Sequence, residues 1–256
     1  MIKISAVIIT HNEEKNIARC LHSLVGVADE VVVVDSNSTD NTVQISRDLG
    51  ARIVNHIFEG HIQQKNFAIT QASNPIILSM DADECLDETL KQEISKLKRN
   101  FNVDGYSMNR LTNYCGQWIK HCGWYPDVKL RLWDSRKGKW GGINPHDKFE
   151  MHKPDAKIQH LKGNLLHYSY YTVADHRNRS HRYAEISAKA LFEQGVTISY
   201  PMIYIKGFSK FIRNYILHLG FLDGINGIRI CWITTIETFR KYYLLFKMHK
   251  KKPETK

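Results

Sequence analysis

Along the first hundred positions, apolar residues fall into two alternating textures. Short β-branched runs at residues 4–9, 30–34, 52–54 and 76–80 are separated by stretches at 14–27, 40–49 and 63–72 in which apolar positions recur with a helical period. Ile17, Cys20, Leu21 and Leu24 stand at i, i+3, i+4 and i+7, and Thr39 and Asp40 are suited to capping the stretch that follows them. The strand runs are apolar at successive positions rather than at every second one. That pattern predicts parallel strands buried on both faces by crossover helices, a βαβ succession and an α/β fold. From about residue 101 to 166 the chain turns aromatic and Gly-rich with little helical period, and helices return from Asp175.

Composition narrows this picture. A chain of 256 residues that is 43% hydrophobic can build a sizeable core, which excludes disorder and collagen-like fibres. No run of about 18 residues is free of Lys, Arg, Asp and Glu, so a lipid-spanning helix is not expected. The apolar run at the N-terminus is too short for a signal peptide, and the expected place of the chain is the cytoplasm. The five cysteines include no C-x-x-C pair and read as reduced thiols. The net charge of +10 is uneven: residues 201–256 hold eleven basic residues against three acids. That tail interleaves its cations with Phe208, Tyr215, Phe221, Trp232 and Tyr242, a texture suited to an anionic membrane interface, the alternative being aromatics packed on the rest of the protein. The expected division is a domain over residues 1–200, with a nucleotide-binding half to residue 100 and an acceptor half beyond it, followed by the helical tail.

In open parallel sheets, ligands bind at the carboxyl ends of the strands. The polar residues there are Thr10-His11-Asn12-Glu13, Asp35-Ser36-Asn37-Ser38 and Asp81-Ala82-Asp83-Glu84. A D-x-D at such an edge can share a hard divalent cation with the oxygens of a bound diphosphate, although a capped, solvated strand end has the same look. Asp35, on the last position of its run, can accept an N–H from a base or hydroxyls from a ribose. Neither G-x-G-x-x-G nor G-x-x-x-x-G-K-[ST] occurs, which removes the main support for dinucleotide oxidoreduction and P-loop phosphoryl transfer.

Together the T-x-N-E stretch Thr10 to Glu13, the VVVVDSNSTDNT segment with Asp35, Gln64-Lys65-Asn66 and Asp81-Ala82-Asp83 resemble glycosyltransferase family 2, the nucleotide-sugar transferases with a GT-A fold. The resemblance implies a Rossmann-type, mostly parallel sheet flanked by helices. It implies that Thr10, Asn12 and Glu13 border the nucleotide, that Asp35 binds the base, that Lys65 lies near the donor, and that Asp81 and Asp83 hold sugar, ribose and metal. The downstream Gly123 to Asp127, Leu130-Arg131-Leu132-Trp133, Asn144-Pro145-His146-Asp147 and Leu166-His167-Tyr168 look like the subgroup of lipopolysaccharide core glucosyltransferases, which act on a heptose.

That subgroup usually has Val-His-Glu where this chain has Pro145-His146-Asp147. The carboxylate is kept but shortened by one methylene, and Asp147 is the expected general base; a surface Asp in a turn is the competing reading. His146 is expected to orient that base or to bind acceptor, and Trp124 to stack on an acceptor sugar unless it belongs to the core. His167 is a candidate second metal ligand beside Asp83, for Mn²⁺ or Mg²⁺, or else a core histidine. The implied activity is inverting, metal-dependent transfer of a hexose, glucose by resemblance, from a uridine diphosphate sugar to a lipopolysaccharide core or other lipid-linked saccharide. It would take place peripherally on the inner face of the cytoplasmic membrane, with no nucleic acid partner. A sugar-nucleotide nucleotidyltransferase and a nucleic-acid-binding protein are the alternatives. The first lacks its Gly-rich loop after strand one, and the second does not require Asp81-Ala82-Asp83.

Overall fold

The structure, a computed structural model, describes residues 1–143 and 146–251. The chain divides into two compact units, residues 1–111 with 127–168, and residues 112–126 with 169–256.

The first unit opens with β1 (Ile4–Thr10), α1 (Ile17–Ser23), β2 (Glu30–Asp35), α2 (Thr42–Asp48), β3 (Arg52–Asn55), α3 (His61–Thr70) and β4 (Ile76–Asp81). β1 pairs in parallel with both β2 and β4, and β2 pairs in parallel with β3. The successive apolar positions are explained by burial on both faces. Ile4, Ala6 and Ile8 pack with Ile17, Leu21, Leu90 and Ile94 on one side, while Val7, Val32, Val34 and Ile77 pack with Ala68, Trp133 and Phe149 on the other. The α/β class and the parallel half are as the pattern predicts.

The chain continues through β5 (Glu84–Leu86), α4 (Glu88–Leu97), β6 (Gly105–Tyr114), β7 (Gln117–Ile119), β8 (Asp127–Asp134), β9 (Gly138–Ile143), β10 (His146–Met151) and β11 (Ile158–Tyr170). The aromatic, Gly-rich stretch therefore forms strands, and these add an antiparallel half to the sheet. Its order is β3-β2-β1-β4-β8-β6-β11-β5, with β7 on β6, and β9 and β10 form a separate hairpin. α4 starts where Asp87 caps the N–H of Leu90 at 2.8 Å, and the three residues before it pair with Leu165, Leu166 and His167 of β11.

In the second unit the end of β6 pairs with β7, and α5 (Val173–Glu193) and α6 (Tyr200–Ile212) pack on α7 (Gly224–Lys251). Thr172 and Asp175 form a reciprocal capping box at the start of α5. Tyr114, Ile119, Cys122, Ile230 and Cys231 are its buried core. α5 packs along α7, so this unit takes in residues 169–199 as well as the helical tail. Among the described residues no single helix is long and apolar enough to cross a membrane; Tyr200–Leu217 and Gly220–Lys250 have the length and composition only as a pair bent by 71°.

Candidate active site

Parallel register brings the three polar strand ends into one row. Thr10 stands opposite Asp35 across β1 and β2, and Ile9 stands opposite Asp81 across β1 and β4. Asp35 is buried and accepts hydrogen bonds from the backbone N–H of Ser38 at 2.8 Å and from its hydroxyl at 2.5 Å. Asn12, at a φ of 54° that asparagine tolerates, accepts from the N–H of Thr39 at 2.8 Å, and its own N–H donates to the Ser38 hydroxyl at 2.9 Å. The N–H of Glu13 donates to the Thr42 hydroxyl at 2.7 Å, and its carboxylate accepts from Asn16 at 2.6 Å. These bonds fasten the loop after β1 to the loop after β2. The buried hydroxyl of Thr10 has no hydrogen-bond partner among the described residues.

The next residues along this edge are charged. Lys65, on α3, is only 5% exposed at its side chain, and its Nζ lies 3.1 Å from Asp81 Oδ1 and 2.8 Å from Asp147 Oδ2. Asn66 sets that geometry: its amide donates to the Trp140 carbonyl at 2.9 Å and accepts from the Trp140 N–H at 3.0 Å, so α3 is tied to β9. Asp147 lies opposite Gly142 in the hairpin that β9 and β10 form. Beneath Lys65 the indole of Trp140 lies 4.6 Å from Nζ, and Trp133 stacks on Phe149 at 3.8 Å. The sequence therefore predicts Lys65, Asp81 and Asp147 as site residues, and the fold gathers all three.

Arg131, Glu84, Arg110 and Asp127 extend the network, and no local pattern assigns them a role in it. Arg131 on β8 donates to Asp81 at 3.0 Å and to Glu84 at 2.8 Å, and Glu84 also accepts the N–H of Asp81 at 2.9 Å. Arg110 reaches Asp127 at 2.7 Å and Glu84 at 3.6 Å. Burial pushes the Asp81 carboxyl up, but Lys65 and Arg131 overcome this and hold it well below the usual carboxylate range. Asp81 is ionised and already compensated by two cations. Asp127 is likewise pushed up by burial and held down by Arg110 and Lys129.

Asp83 points elsewhere. Its Oδ2 lies 3.2 Å from His167 Nε2, because the pairing of β11 with β5 sets His167 opposite Glu84, just after the D-x-D. The buried Nδ1 of His167 has no partner among the described residues. No group of three or more His, Cys, Asp and Glu side chains is arranged for a metal among the described residues. A carboxylate and an imidazole still fit a divalent cation whose other positions are filled by diphosphate oxygens and water, as Mg²⁺ and Mn²⁺ sites on nucleotides commonly are.

The sequence model of glycosyl transferase family 2 matches residues 5–150, a span that includes Thr10, Asp35, Lys65, Asp81, Asp83 and Asp147 but not His167. An uncharacterized glycosyltransferase of Rickettsia typhi is 32% identical over 236 residues, 89% of this chain and 81% of its own length. The chain belongs to glycosyl transferase family 2. The lipopolysaccharide core biosynthesis glycosyltransferase LpsC of Rhizobium meliloti is also similar, at 27% identity over 95% of this chain and 94% of its own. Glucosyl-3-phosphoglycerate synthase of Mycobacterium tuberculosis, solved with Mn²⁺ and uridine diphosphate, shares 22% identity over 43% of this chain and 44% of its own, with a TM-score of 0.35. A parallel half extended by antiparallel strands is the GT-A arrangement that family membership implies, and membership favours glycosyl over nucleotidyl transfer.

Of the two expected acceptor residues, Trp124 alone has its side chain among the described residues. Trp124 belongs to the second unit, where it packs edge-on against Tyr114 at 5.9 Å and His176 at 5.6 Å and lies 5.8 Å from Tyr170. Asn144 and Pro145, quoted with the hairpin motif, lie outside the described residues, as does the side chain of His146, whose backbone starts β10.

Proposed function

We propose that this family 2 enzyme is an inverting transferase that moves a hexose, glucose, from its uridine diphosphate donor to a lipopolysaccharide core or other lipid-linked saccharide, working at the inner face of the cytoplasmic membrane. The observation that carries the reading is Lys65, buried and shared between Asp81 and Asp147. A donor diphosphate is the stronger anionic partner for that ammonium. When the phosphate takes Lys65, Asp147 is released to accept a proton, so donor binding arms the base. Asp147 then takes the proton of the acceptor hydroxyl as its oxygen bonds to the anomeric carbon, and the nucleoside diphosphate departs with the electron pair of the broken bond.

Asp35 and the unmet Thr10 hydroxyl supply contacts for the nucleoside, and Asp81, kept ionised by Lys65 and Arg131, accepts hydroxyls of ribose or sugar. Asp83 and His167 are the residues that would hold Mn²⁺ or Mg²⁺, which when bound offsets the charge developing on the diphosphate. A similarity to LpsC over nearly the full length of both chains supports the acceptor class.

The test is a thermal-shift comparison of nucleoside diphosphates with Mn²⁺. A ligand at about 100 times its dissociation constant adds about 2.7 kcal/mol, so uridine diphosphate should raise the melting temperature by several degrees and above adenosine, guanosine and cytidine diphosphates. No shift with any of them would overturn the proposal.

A further inference from the structure

The turn that joins α6 to α7 is built inside out. Apart from the exposed His218, its polar side chains are buried: Asp223 accepts the N–H groups of His121 at 2.9 Å and Lys120 at 3.3 Å, with the His121 ring Nδ1 at 3.0 Å. Asn226 is buried and donates to Gln117 at 3.0 Å. The apolar side chains face outward instead. Leu217 is 70% exposed, Ile225 64% and Leu222 58%, and Ile216, Leu219 and Phe221 are exposed beside them. Between Arg213 and Arg229, both exposed, the only Asp, Glu, Lys or Arg is the buried Asp223. A turn shaped for water has the opposite distribution, since contiguous apolar surface of this kind is rare on a monomer without a partner for it.

The turn is also closed tightly. A Cβ on Gly227 would collide with the carbonyl oxygen of Gly220, and one on Gly220 would meet the Cys231 and Cys122 sulfurs at 2.9 Å and 3.1 Å. The outward residues therefore sit on a fixed elbow, not on a loop that could fold them away.

We propose that this elbow enters the headgroup and upper acyl layer of a phospholipid bilayer, and that it, more than the lysines at the end of α7, anchors the protein. The occupant follows from shape and chemistry. The elbow is the junction of two segments bent by 71°, which together have the length and apolar composition of a membrane segment. Its surface is mainly aliphatic rather than the Tyr, Trp and Arg mixture of protein hot spots. Arg213 and Arg229 flank it where lipid phosphates would lie. The inference deepens the membrane-face part of the proposed function and does not depend on the donor.

The test is flotation of the full chain with vesicles of phosphatidylcholine, alone or mixed with phosphatidylglycerol, at low and high salt. The parent should bind the mixed vesicles and keep a measurable fraction bound at about 1 M salt, where the Debye length is about 3 Å and charge attraction is screened. Leu222→Asp with Ile225→Asp should lower partitioning by about 100-fold or more, whereas Lys247→Gln with Lys250→Gln should lower it by about 30-fold at most. As a measurement without an altered elbow, lipids brominated in the upper acyl chain should quench Trp232, and Trp232→Phe should remove that quenching. The inference is overturned if the parent does not bind, if the elbow variant binds like the parent, if Trp232 is not quenched, or if the elbow variant only breaks a dimer of this chain. Titration with uridine diphosphate and Mn²⁺ is read in parallel: its failure with vesicle binding intact would remove the donor reading and leave the elbow standing.

Discussion

Removing Arg131 tests the charged network at its most buried point. Arg131 is 3% exposed at its side chain and Glu84 is 0% exposed, with 2.8 Å between them, and the same guanidinium lies 3.0 Å from Asp81. In Arg131→Met the stem volume is largely kept, so the cavity contribution is small. Asp81 keeps Lys65, but the nearest remaining cation to Glu84 in the network is Arg110 at 3.6 Å. Breaking a buried pair while leaving one charge behind costs about 3–5 kcal/mol, a large part of the roughly 5–15 kcal/mol that a domain of ordinary stability has. Urea unfolding followed by circular dichroism should show a lower midpoint with an unchanged slope. The double variant Arg131→Met with Glu84→Gln should recover part of the loss, giving a coupling of about 2 kcal/mol, because no charge is left unmatched. The pH dependence has a defined sign. A carboxyl held low in the folded state, as Asp81 is, stabilises above its ordinary pKa of about 4 and loses that contribution as pH falls, so the variant should have a shallower acid limb. A loss within about 1 kcal/mol, or strict additivity in the double variant, would refute the reasoning.

Two further outcomes follow from the same structure. Asp147→Asn should lower turnover by roughly 10²-fold or more with little change in donor affinity, since the amide cannot take the acceptor proton; parental turnover would remove Asp147 as base. His176, buried beside Arg179 and 3.1 Å from the Tyr114 hydroxyl, is pushed down to about 4, chiefly by burial. The unfolded chain therefore takes up this proton below about pH 6.5 and the folded chain only near pH 4, so stability should fall by about 3 kcal/mol across that window. Melting curves of His176→Gln should lack most of that fall, and an unchanged pH profile would count against it.

Much of the donor half was legible because burial on both faces writes itself as consecutive apolar residues, and because a carboxylate at the end of such a run has few structural uses. Ile4–Thr10, Glu30–Asp35 and Ile76–Asp81 fall on the runs that the pattern marks. The short strand Glu84–Leu86 was not legible, since its partners Leu165 to His167 lie far along the chain and nothing local distinguishes it from the helix that follows. Arg131 and Glu84 stand in stretches that the sequence marks, but their pairing was hidden for the same reason: a charge inside a strand run is only unusual until its partner, 47 residues away, is seen. In the tail, counting cations and aromatics pointed to a surface role without locating it. Phe211 and Tyr215 pack on the core of the second unit, whereas Phe208 and Trp232 are exposed on the helices and the aliphatic Leu217, Leu222 and Ile225 are exposed about the turn between them.

If a cation held by Asp83 and His167 carries the donor diphosphate at the D-x-D edge, nucleotide affinity depends on both the metal and Asp83. Calorimetric titration of uridine diphosphate into the parent and into Asp83→Asn, each with Mn²⁺ and with chelator, tests it most directly. Affinity in the parent should require Mn²⁺, and Asp83→Asn should weaken binding at least about 10-fold in its presence, the lower end of what altered metal-site groups cost. Equal affinity in parent and variant, or binding indifferent to the metal, would contradict the account.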